Sequence, residues 1–180
     1  MRRDNFPSLS EIVEVYASIM HRATGAERDA GGSWYDEANA FAHTLCNLRT
    51  DWSLEVAASV ISAFSPRERW ASNKAKAHAF ALCLPVRGLT ANIRRAEEAT
   101  RIGLDALRGP KTRAFAEAII GNPDAVVIDT HMLKPIGKSG CTELQYARCA
   151  EAVAIVAGRF NASPRDTQAT IWVVHRGRAD

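Results

Sequence analysis

Apolar side chains recur at three- and four-residue spacing through nearly the whole chain, a period that belongs to helices and leaves almost no material for a sheet. Ser8-Leu-Ser-Glu11 reads as a capping box, and Leu9, Ile12, Val13, Tyr16, Ile19 and Met20 fall on one helical face. Residues 24–32 are polar and glycine-containing and read as a loop. A helix over about 34–48 then turns Ala38, Phe41, Ala42 and Leu45 inward. Ser53 is placed to cap a third helix, 54–64, whose hydrophobicity on every side predicts the centre of the fold. Ser65-Pro66 breaks that run, a basic helix is predicted over 67–83, and Thr90 is expected to cap another over 91–101. Near the end, Thr142 opens a long helix to about 160, and Ser163-Pro164 supplies a cap and a first-position proline for the last one. Only Ala125-Val-Val-Ile128 reads as extended, so the predicted class is all-α, with two helical lobes and a cleft between them.

The 180 residues suffice for one domain, or a small two-lobed one, with a core that needs no staples, and no repeat or linker divides them. A net charge of +3 permits nucleic-acid binding without demanding it. No apolar run reaches the length of a membrane span, and Met-Arg-Arg-Asp-Asn-Phe-Pro7 lacks a signal-peptide core, so a cytoplasmic protein without membrane partners is expected. Cys46, Cys83, Cys141 and Cys149 form no paired spacing, and Cys46 and Cys83 read as buried free thiols. His21, His43, His78 and His175 make no metal-binding pair, so neither a metal nor another cofactor is expected. Trp70 and Trp172 read as core residues.

Residues 109–131 carry most of the functional information. Pro110 suits a first helical position, Gly121 a left-handed stop, and Asn122-Pro-Asp124 a turn. The positive end of a helix dipole disfavours a lysine, so Lys111 in the first turn points to a role other than helix stability. The apolar run 125–128 returns along the helix and delivers Asp129 at the next helix start, where Thr130 is a further candidate cap. An amine and a carboxylate brought together in this way are equipped to break a glycosidic bond.

Gly109-Pro-Lys-Thr112 and Val127-Ile-Asp-Thr-His131, at this separation, resemble the helix-hairpin-helix DNA glycosylases, of which endonuclease III is the familiar member. Val60-Ile-Ser-Ala-Phe-Ser65 with Trp70 and Asn73-Lys-Ala75 is similar to an earlier helix of that family and its successor. The resemblance implies a two-lobed glycosylase-like fold over 1–180, with a helix-hairpin-helix element at about 101–131. It further implies that Lys111 is the Schiff-base lysine and Asp129 the catalytic aspartate, supported by His131 and Thr130. Only Gly109 of the family's hairpin glycines is in register, and the four-cysteine iron-sulfur loop is absent. Ser65-Pro66, Trp70, Asn73 and Gln168-Ala-Thr-Ile-Trp172 are also similar to small phage proteins, a likeness that names no reaction.

On this reading a monomeric enzyme binds duplex DNA and flips a damaged or modified base. Lys111 attacks C1′ as a neutral amine, and Asp129 stabilises the developing oxocarbenium charge or deprotonates the attacking amine. Arg108, Gly109, Thr112, Arg113, Lys134 and Lys138 near the hairpin, with Arg67 and Arg69, are expected to hold the DNA backbone. Two other functions fit the same features. One is a phage-type transferase that attaches an amino acid to an activated thymine, and the other is a DNA-binding module without catalysis.

Overall fold

A computed structural model describes residues 5–177, and among these every regular element is helical. The chain falls into two compact units. One takes the chain up to Trp34 and again from Pro123 onward; the other is Tyr35–Asn122.

In the first unit, α1 (Leu9–Arg22) begins at the predicted box: Ser8 accepts from the Glu11 N–H, and the Glu11 carboxylate accepts from the Ser8 N–H. Both long helices that follow it here, α8 (Glu143–Phe160) and α9 (Pro164–Arg176), start at the predicted caps Thr142 and Ser163. They pack on α1 and on each other, and between them bury Ile12, Tyr16, Cys149, Val153, Val156 and Ile171 completely. Burial of each such large side chain contributes roughly 1.5–3 kcal/mol.

The residues expected to form a loop at 24–32 are instead the start of α2 (Gly25–Leu48), within which the unit boundary falls. Thr24 and Glu27 form a second capping box, each side chain accepting from the other's backbone N–H. This local signal prevails over three glycines, and at one of them glycine is required. A Cβ on Gly31 would lie 2.5 Å from the Thr170 hydroxyl and 2.7 Å from its backbone, so α2 and α9 meet there without a side chain between them.

The second unit is built around α3 (Leu54–Phe64), which starts at Ser53 as predicted and buries every residue from Ala57 to Phe64. It is apolar all round because α4 (Trp70–Ala81), α5 (Thr90–Ile102) and α6 (Pro110–Ile120) all contact it. The basic helix is shorter than expected. Pro66 and a left-handed Arg67 (φ 64°) occupy a turn, leaving Arg69 as the N-cap of α4. Thr90 does not cap α5 but is its first residue, with Leu89 in the cap position. Cys46 is half-buried rather than buried, and Cys83 is exposed, because α4 ends before it and the chain turns through φ 56° there.

Candidate functional site

Within the second unit, α5 and α6 are joined by a 3-10 turn (Gly103–Ala106) and Leu107–Gly109, a hairpin-like connection that leads into Lys111. Gly109 occupies a conformation (φ 94°) that other residues avoid, and open space surrounds the position of its absent Cβ. The hairpin is tied from three sides. Arg95 donates to the Ala106 carbonyl (2.9 Å), Glu55 accepts from the Leu104 N–H (3.2 Å), and the Ser62 hydroxyl donates to the Thr112 carbonyl (2.6 Å). The Thr112 hydroxyl closes the turn, bonding back to the carbonyls of Arg108 (3.2 Å) and Gly109 (3.3 Å). Lys111 is the second residue of α6 and is exposed, as is Arg108. Arg113 is engaged by Asp105 (3.3 Å) and Glu117 (3.1 Å).

Asp129 belongs to the first unit. The run 125–128 that leads to it is buried and belongs to no regular element. Two of its backbone groups bond a side chain: the Tyr146 hydroxyl donates to the Val126 carbonyl (2.7 Å) and accepts from the Ile128 N–H (3.2 Å). Burial pushes the Tyr146 pKa up to about 12, so the hydroxyl keeps its proton and its donor role. Just beyond, the buried Tyr16 hydroxyl donates to the Met132 carbonyl (2.8 Å) and fixes the short α7 (Thr130–Leu133) on α1.

Asp129 is the N-cap of α7, and Thr130 takes no part in capping. Asp129 Oδ1 accepts from the backbone N–H groups of His131 (2.8 Å) and Met132 (3.1 Å). Its other oxygen, Oδ2, accepts from the Trp172 indole Nε1–H at 3.1 Å. Trp172, expected in the core, is half-buried and packs against it. Around it stand Arg176, 4.6 Å above the ring, His131 at 5.8 Å and Trp34 at 6.2 Å. His131 in turn lies 6.3 Å from His175, which lines an open groove of about 570 Å³ together with Glu14, Ser18 and Arg22. Burial lowers the His131 pKa from its ordinary value. The Asp129 carboxylate opposes that shift, while Lys134, Arg176 and His175 add to it.

The other basic residues predicted to hold DNA have varied surroundings. Lys134 is exposed at the start of the 3-10 turn Lys134–Ile136. Lys138 donates to the Asn5 carbonyl and sits 5.9 Å from the Phe6 ring, which Arg148 also faces at 5.9 Å. Lys138 thereby holds the segment before α1. Arg67 and Arg69 are exposed in the turn before α4, and Lys76 on that helix is paired with Glu68. Arg176 and Tyr146 were not singled out by the motifs, and Trp172 was singled out only as a core residue and as the end of the phage-like motif. Only the spacing of Trp172 and Arg176, one helical turn apart on the last helix, marks them locally as neighbours.

Among the described residues, no three His, Cys, Asp or Glu side chains gather to hold a metal ion, and no helix is long and apolar enough to cross a membrane. No curated protein and no solved structure matches the chain. A family profile matches residues 2–179, so the chain belongs to the family of unknown function DUF7178.

Proposed function

We propose that the protein excises a flipped base from duplex DNA, acting inside the cell as a monomeric DNA N-glycosylase with strand-cleaving lyase activity. The observation that carries this reading is the Asp129 carboxylate, held at a helix N-terminus by three donors in a half-buried, aromatic-lined position. A carboxylate fixed in place stabilises a cationic transition state without having to reorganise as the charge appears. Lys111 would supply the nucleophile. Its neutral amine attacks C1′, the N-glycosidic bond breaks and its electron pair leaves with the base, and a proton from the new C1′–ammonium neutralises the base. The nitrogen lone pair then expels O4′, which takes up a proton, giving an open-chain Schiff base; loss of a C2′ proton forms the C2′–C3′ double bond as the C3′–O bond breaks and the 3′ phosphate leaves. Lys111 is exposed, so the bound DNA itself has to provide the desolvation that a neutral amine needs.

Borohydride trapping on DNA carrying abasic sites or modified bases tests this. The wild type is expected to form a covalent adduct that Lys111→Ala abolishes. Asp129→Asn should slow base release by about a hundredfold or more while DNA affinity is retained. Binding without adduct or base release would leave a DNA-binding module. Added mass on product nucleosides, seen only with an activated pyrimidine and an amine donor, would identify a transferase.

A further inference from the structure

We infer that Trp172 is a positioning residue for Asp129: its indole N–H fixes the carboxylate oxygen that helix capping leaves over. The inference rests on the excision reading for its catalytic consequence, but the contact stands on geometry. Capping needs one oxygen, and Oδ1 already takes the backbone N–H groups of His131 and Met132. With Oδ1 alone engaged, Oδ2 could swing about the bond that joins the carboxylate to Cβ. The Trp172 Nε1–H at 3.1 Å removes that freedom and sets the plane of the carboxylate. The indole is itself held from several sides. Arg176 lies over its face, where a cation draws electron density from the ring and strengthens the N–H as a donor. Trp34 and the His131 ring border it, and α9, which carries it, packs directly on α7.

Trp172→Phe keeps a ring for Arg176, Trp34 and His131 to pack on and removes only the donor and part of the ring. Single-turnover base release is expected to fall about ten- to a hundredfold, the size of effect that loss of one hydrogen bond to a charged group produces, with the DNA dissociation constant within about twofold of wild type. Release at the wild-type rate, or equal losses in release and binding, would overturn the positioning role.

A second measurement leaves Trp172 in place, and so still decides if the Phe variant does not fold. The Trp172 indole N–H resonance is followed in the wild type and in Asp129→Asn, where the amide oxygen can keep the cap while the NH₂ faces the indole, donor against donor. The resonance should move upfield and its proton exchange faster. An indole signal that ignores the substitution would overturn the inference even if base release is confirmed. A signal that moves, in a protein that releases no base from any DNA, supports the fixed carboxylate and removes the excision reading instead.

Discussion

The two oxygens of Asp129 have separate partners, and its neighbour His131 shares in both arrangements: its backbone N–H serves the cap and its ring borders the indole. The imidazole gives this site a pH dependence whose sign follows from its surroundings. Burial, helped by the charges of Lys134, Arg176 and His175, outweighs the attraction of Asp129 and holds its pKa below the unfolded value. The unfolded chain therefore takes up the proton first as pH falls. The stabilisation from neutral His131 is complete above about pH 6.5 and is lost as pH drops through the folded value. Thermal melts between about pH 7 and 5 should show the melting temperature declining, and His131→Gln, which cannot titrate, should flatten that decline. A slope unaltered by the substitution would assign the acid sensitivity to other groups.

The run that delivers Asp129 belongs to no regular element, and Tyr146 ties it down. Its hydroxyl bonds a carbonyl and an N–H two residues apart on the same chain. Tyr146→Phe strands both groups in a buried setting, where each costs about 1–3 kcal/mol, so a total loss of roughly 2–6 kcal/mol is expected in denaturant unfolding. Because the run ends at Asp129, base release should fall by more than DNA binding does. Preserved stability in this variant would mean that the run finds other partners. The elements on either side were readable locally: α1, α3, α8 and α9 all begin at Ser or Thr caps that contact groups at most three residues away. The same rule applied to Thr24 and Glu27 would have extended α2, but the glycines that follow argued for a loop. The reason at least one of them is tolerated, close approach to Thr170, lies 139 residues along the chain and has no local signature.

At the scale of the whole molecule, a net charge of +3 understates how many cations are already engaged within the chain. Lys76 pairs with Glu68, Arg113 with Asp105 and Glu117, Arg159 with Glu14, and Arg165 with Asp166. DNA contacts through the hairpin are expected from Arg108, exposed next to Gly109, ahead of Arg113. Measured as the slope of log affinity against log salt, Arg108→Ala should reduce the magnitude by about 0.9, the share of one phosphate contact, and Arg113→Ala should leave it nearly unchanged. The opposite ranking would place the phosphate contacts elsewhere. The sequence alone determined the all-α class, most helix starts, and Asp129 as a helix cap. All of these depend on spacing within a few residues, where backbone geometry dictates which groups meet. Tertiary structure alone decided that Lys111 and Asp129 belong to different compact units. It also decided that a tyrosine ties down the run before Asp129, and that an indole 43 residues away along the chain takes the second carboxylate oxygen. Such contacts depend on how helices pack, and packing at that separation leaves no periodic trace in the chain.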